Sequence, residues 1–130
     1  MNKLLWVLQV LLALAYLAHG LMMLFPPASL LEVMNQAMGP NLRVFIGVAE
    51  VLACVGLILP GLTGIMPWWT TVALAGLMIV MISATIFHVQ RGETSSAVTS
   101  FILLAIITFV AYERWKVHPL PAKGAKKALG

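Results

Sequence analysis

Four stretches of this chain, residues 4–25, 42–59, 68–90 and 97–115, are apolar almost throughout and each is long enough to cross a bilayer. A spanning helix needs about 20 such residues, and inside hydrocarbon its backbone amides find partners only within the helix itself. That requirement leaves little choice of fold. Composition agrees: 62% of the 130 residues are hydrophobic and 9% charged, where a soluble domain carries about 25% charged residues, and the mean hydropathy is +1.01. The expected fold is all-α, one integral membrane four-helix bundle over residues 1–116. A basic tail, 117–130, follows; from Pro119 onward it is short of apolar side chains and is expected to be disordered.

The joints between spans read PPASLLEVMNQAMGPN, PGLTGIMP and QRGETSS, and their Pro, Gly and Ser clusters are helix breakers. Within the first joint, Ser29 to Met38 has the pattern of a short interfacial helix. Ser29 would cap it, Glu32 stands at the capping-box position, and Leu30, Leu31, Val33 and Met34 supply an apolar surface. Orientation follows from the basic residues, which resist translocation. With both termini cytoplasmic, the inner side carries Lys3, Arg114, Lys116, Lys123, Lys126 and Lys127, and the outer side Arg43 and Arg91, so six against two favours N-in, C-in. Trp6, Trp68, Trp69 and Trp115 then share the inner interface, where such anchors collect. Lys3 and Ala13-Leu14-Ala15 give the N-terminus some look of a signal peptide, but the apolar run continues to Phe25, which makes it the first span. No internal repeat stands out.

Ionisable side chains within spans carry the functional signal. A charge at mid-helix costs roughly 2.5 to 3.5 kcal/mol on insertion, so each one asks for a partner. His19 lies about 9 Å in from Phe25, Glu50 about 12 Å in from Leu42, and His88 within a turn of Gln90, all in the same half of the bilayer. At 100° per residue, Gln9, Tyr16 and His19 share one side of the first span. Arg43, Gly47, Glu50 and Cys54 form a stripe about 60° wide on the second. Ala84, Thr85, His88 and Arg91 share a side of the third, and Ser96, Thr99 and Ser100 open the fourth. Lipid cannot satisfy such stripes, so they turn inward, and the expectation is a polar pocket opening outward. Small residues at Gly47, Ala49, Ala53, Gly76, Ser83 and Ala84 would let the backbones close around it. Its candidate ligand-binding residues are His19, Glu50, His88, Tyr16 and Arg43.

Other chemistries find less support. His19, Glu50 and His88 have the ligand types of a zinc or ferrous site, but no HxxxH or ExxH spacing reinforces it, and no metal is expected. No Ser or Cys has a local base, and there is no phosphate-binding glycine loop. The methionines suit adaptable packing better than copper traffic. The lone Cys54 excludes an internal disulfide. The basic excess lies largely in the tail and points to anionic lipid rather than nucleic acid.

From Val44 onward the order of features is specific: IGVAEVLACVGLILP, a Pro/Gly loop, LAGLMIVMISATIFHVQRGE, then an apolar helix ending AYERW. This resembles the DoxX-like family of small four-helix membrane proteins. The Gly47, Glu50, Gly56, Pro60 series and the Ala84, His88, Arg91, Gly92 series are its most telling parts. That family often places a lysine shortly after the first-span glycine, where this chain reads HGLMMLFPP. The resemblance implies the bundle, a bacterial inner-membrane location, and links to quinone-coupled sulfur oxidation, membrane redox complexes and assembly of membrane proteins. The leading expectation is a binding protein, accessory to a membrane redox system and not itself catalytic. It would hold a small apolar molecule with a polar head, such as a quinone, with Glu50 and His19 exchanging hydrogen bonds or protons with that head. His88, Tyr16 and Arg43 would orient it. The alternatives are an assembly or scaffold subunit of a larger complex, and a small transporter working as a homodimer.

Overall fold

In the computed structural model of the protein, residues 1–124 are described. Five helices make up almost all of that length: α1 (Asn2–Leu24), α2 (Ala28–Met38), α3 (Pro40–Thr63), α4 (Trp69–Gln90) and α5 (Thr94–Tyr112), the last running into a π-helical turn, Glu113–Val117. Four of them, α1, α3, α4 and α5 with its π-turn, are long and apolar enough to cross a membrane. The protein is an integral membrane four-helix bundle. Its surface is correspondingly apolar, with Leu11, Phe45, Leu52, Ile79 and Phe101 among many large side chains more than half exposed, as lipid solvation allows. The core is a layer of aliphatic side chains: Leu5, Leu57, Leu74, Leu77, Ile107 and Val110 have essentially no exposure.

The helices pack in chain order, α1 along α3, α3 along α4 and α4 along α5, while α5 returns to α1 at the end of the bundle that holds both described chain ends. We call that the termini end; the opposite, loop end carries α2 and the α4–α5 turn. The tightest approach lies between α1 and α3. A Cβ on Gly20 would stand 3.1 Å from the carbonyl oxygen of Gly47, and one on Gly47 would stand 3.0 Å from the carbonyl oxygen of Gly20. Paired glycines at a crossing let backbones touch, and here they bring the neighbouring turns, with His19 and Glu50, face to face.

Several boundaries differ from the expectation for physical reasons. Pro60 was expected in a loop, but α3 continues through it to Thr63. Proline has no N–H for the carbonyl of Gly56. The Thr70 hydroxyl of α4 donates to that carbonyl at 3.0 Å instead, so the neighbouring helix repairs the break. Ser29 does not cap α2: Pro27, at φ −57° and ψ 148°, occupies the cap position, no side chain caps the helix, and Glu32 accepts from Gln36 at 3.2 Å. The fixed φ of Pro27 starts the helix one residue early, which puts Ser29 inside its first turn. Leu30, Leu31 and Val33 are exposed on α2. The fourth span begins at Thr94 rather than 97, since the Ala97 amide already bonds the Glu93 carbonyl at 2.9 Å.

The segment expected to be disordered from Pro119 is docked as far as it is described. Leu120 is buried, and the Lys123 amide donates to the Gly64 carbonyl at 2.7 Å. Gly64 ends α3 in the left-handed conformation, φ +69°, with the Lys123 backbone 2.6 Å from where a Cβ would stand; only glycine fits both demands. Lys126 and Lys127 lie outside the described residues.

Candidate functional site

On α3 the buried positions are Arg43, Gly47, Glu50, Cys54 and Leu57, at the four-and-three spacing that defines one helical face. Glu50 is 1% exposed. Its Oε2 shares a 2.6 Å hydrogen bond with Nδ1 of His19 on α1. Either the imidazole N–H donates to a carboxylate or the carboxyl O–H donates to the ring nitrogen; both fit the distance, which makes the pair able to pass a proton between its members. The His19 side chain is 48% exposed, on the flank of the bundle about 8 Å from the end of α1. One partner is therefore sealed in protein and the other reaches its surface.

Two polar atoms on these helices are buried and unpaired among the described residues. The Tyr16 hydroxyl, one turn before His19, is buried without a hydrogen-bond partner among the described residues, and so is the second carboxyl oxygen of Glu50. Cys54, one turn beyond Glu50, donates its thiol to the Ala13 carbonyl at 3.1 Å. Natural proteins rarely leave buried polar groups unpaired, and each such group invites a functional explanation. A donor and a carboxyl oxygen with unused capacity, beside a proton-sharing pair, is a chemistry suited to a carbonyl or hydroxyl head on an otherwise apolar molecule.

Residues 7–110, from within α1 almost to the end of α5, match the model of the DoxX-like family. The chain belongs to the DoxX-like family. Comparison with curated proteins returns no match, and comparison with solved structures returns none.

Of the expected site residues, the DoxX-like fold brings together His19 and Glu50, while Tyr16 is buried one turn before His19 on the same helix. Arg43 is on the same face as Glu50 but is occupied elsewhere: Nη1 donates to the Met23 carbonyl and Nε to Asn35 Oδ1 at 3.0 Å. It ties α1, α2 and α3 together at the loop end. His88 turns to the α4–α5 connection, with Nδ1 3.6 Å from Glu93 Oε1, beyond hydrogen-bond distance. Among the described residues no three His, Cys, Asp or Glu side chains gather as a metal site needs, so the trio His19, Glu50 and His88 is not assembled.

Of the outward-opening pocket expected from four polar stripes, the side chains that meet across helices are those of the α1–α3 interface, although Ser100 of the fourth-span stripe is also buried. The hydroxyls of Ser83, Thr85, Thr99 and Thr108 donate to the carbonyl four residues earlier in their own helices. Such bonding satisfies a hydroxyl without any inward partner. The buried face of α4 is instead Thr70, Leu74, Leu77 and Met81.

A second polar cluster went unrecognised in the sequence. Arg114, read there as an ordinary interfacial cation, is 3% exposed. Its Nε donates to Gln9 Oε1 at 2.6 Å, and its Nη1 donates to Asn2 Oδ1 at 2.6 Å and to the His118 carbonyl at 3.0 Å. Gln9 in turn donates to the Leu57 carbonyl at 2.7 Å. The signal available was Gln9, a fully amidic side chain facing inward in a span with no acid to meet it.

Proposed function

We propose that this DoxX-like chain binds the polar head of a small apolar molecule, a quinone being the type that fits, at the His19–Glu50 pair in the bilayer. The observation that carries the reading is the division of labour at Glu50: one oxygen is held by His19 at 2.6 Å and the other is buried with its capacity unused. A quinone carbonyl accepts hydrogen bonds, and when two electrons reduce the quinone to the quinol each of its two carbonyl oxygens takes up one proton, the pair here serving the one it holds. Tyr16 supplies a donor, Glu50 supplies or receives a proton, and His19, exposed on the flank, links the enclosed carboxyl to the surroundings. The electrons come from an adjacent membrane redox protein, to which this chain is accessory. Lateral access past His19 suits a ligand already dissolved in the lipid. The inner-membrane orientation with cytoplasmic termini is supported by Lys3, Arg114, Lys116 and Lys123 at the termini end.

The test is a thermal-shift titration of the purified chain with a short-chain ubiquinone. Wild type is expected to gain stability with ligand concentration, as any ligand of the folded state confers, and Glu50→Gln to remain folded but unresponsive. Protection equal in both would overturn the reading. A second reading, an assembly subunit, draws on the same half-exposed imidazole, which is equally placed to meet a partner helix. Under it, ubiquinone protects neither protein and a stoichiometric partner co-purifies in mild detergent.

A further inference from the structure

At the termini end a cleft of about 360 Å3 opens between the start of α4, the π-turn and the returning tail. The residues that matter in its wall are Trp68, Thr71, Val72, Arg114, Trp115 and Leu120. Arg114 is a permanent cation almost wholly enclosed, yet every hydrogen-bond partner it has among the described residues is neutral, two amide oxygens and one carbonyl, and the ring it lies over, Trp6 at 5.7 Å from the centroid, carries no charge either. Its Nη2 is buried with no hydrogen-bond partner among them. An enclosed guanidinium ordinarily pairs with a carboxylate or phosphate, whose two oxygens match its fork. Here the neutral groups orient the fork and leave its charge uncompensated.

The cleft's surroundings name the kind of anion. Trp68 and Trp115 are more than half exposed at its mouth, and tryptophans of spanning helices sit at headgroup depth. The rest of the wall mixes the Thr71 hydroxyl with the apolar Val72 and Leu120, so a ligand polar at one end and aliphatic at the other matches it. The Lys116 ammonium lies over the Trp115 ring, 4.2 Å from its centroid, and adds a second positive charge beside the mouth. We infer that this cleft binds the phosphodiester head of an anionic phospholipid, with Arg114 and Thr71 holding the phosphate and the acyl chains leaving along Val72 into the bilayer. The site is independent of the His19–Glu50 pair.

Fluorescence quenching in nanodiscs tests it, because all four tryptophans start or end helices at the termini end. Full-length protein is reconstituted with brominated phosphatidylglycerol or brominated phosphatidylcholine at matched mole fractions. Half-quenching of the wild type is expected at about a fivefold lower fraction of the anionic lipid, the preference that one well-placed basic residue gives. The ratio is expected to fall to near one in Arg114→Gln. Thr71→Val, outside the Gln9–Asn2 network and therefore safe for folding, is expected to lower it part of the way. Equal half-quenching fractions in the wild type would overturn the inference, as would a preference that both variants leave intact. Added inorganic phosphate is expected to leave the ratio unchanged; its loss on adding phosphate would assign the cleft to a soluble anion and overturn the lipid assignment.

Discussion

Glu50, in the loop-side half of the bundle, and Arg114, at the termini end, are enclosed to nearly the same degree, at 1% and 3% exposure. Their partners differ in kind. Glu50 faces another titratable group, and the proton between them can move. Arg114 cannot lose its charge at any accessible pH, and it is held by amides and a carbonyl that cannot titrate either. The first arrangement suits exchange with a ligand and the second suits holding an anion in place. Burial of a polar group between helices thus says little until the chemistry of its partner is known.

Removing one partner at each place should expose that difference. His19→Leu leaves a carboxyl enclosed in protein without its partner, and orphaning a buried polar group costs about 2 kcal/mol. Unfolding in mixed micelles is expected to register most of that loss. Adding Glu50→Gln to His19→Leu should cost less than the sum of the two single changes, since the second removes a group already without its partner; strict additivity would mean the two residues do not act as a pair. At the termini end, Gln9→Leu removes an acceptor from the guanidinium and a donor from the Leu57 carbonyl. The same unfolding assay is expected to fall by about 2 kcal/mol, the range for hydrogen bonds to a charged group.

A smaller effect isolates packing from charge. Thr70→Val takes away the hydroxyl that satisfies the Gly56 carbonyl left bare by Pro60, at a cost of about 1 kcal/mol. In a Pro60→Ala background the new amide supplies the missing donor, so Thr70→Val should then cost much less; equal costs in the two backgrounds would refute the repair. Smallest of all is the exposed pair at the loop end. Arg91 Nε donates to Glu93 Oε1 at 2.7 Å and holds that carboxyl below its ordinary range, with His88 adding to the effect. A carboxyl lowered on folding stabilises above its unfolded value, and that contribution disappears as the pH falls through the lower, folded value. Arg91→Gln should move the Glu93 titration upward in a carboxyl-labelled NMR experiment and scarcely alter stability at neutral pH, as exposed pairs contribute little.

The contrast also explains what the sequence reveals. Periodicity on the second span picks out Arg43, Gly47, Glu50 and Cys54, the face that α3 buries, because in lipid a polar stripe has nowhere else to go. The same logic overreaches for Thr85, Thr99 and His88. Hydroxyls can satisfy themselves on their own helix, and a histidine one turn from a span's end can turn toward the connecting loop, here leaving its Nδ1 unpaired among the described residues. Pro60 misleads because its remedy, Thr70, lies on another helix. Arg114 misleads because a long cation near a span's end usually snorkels to water. The π-turn, with its His118 amide bonded back to the Glu113 carbonyl, is a winding no residue pattern announces; it carries Arg114, which faces Gln9. Leu120, a single leucine between two prolines, is too slight a signal to announce that residues 119–124 return to the bundle.

The central claim is that His19 and Glu50 form one proton-sharing unit that answers to a ligand in the bilayer. The three histidines of the chain make it directly readable by nitrogen-15 NMR of histidine-labelled protein in nanodiscs. The account predicts that a short-chain ubiquinone shifts the His19 ring nitrogens in the wild type, leaves His88 and His118 in place, and shifts nothing in Glu50→Gln. Ring nitrogens of His19 that ignore the quinone in the wild type, or that respond identically in Glu50→Gln, would contradict it.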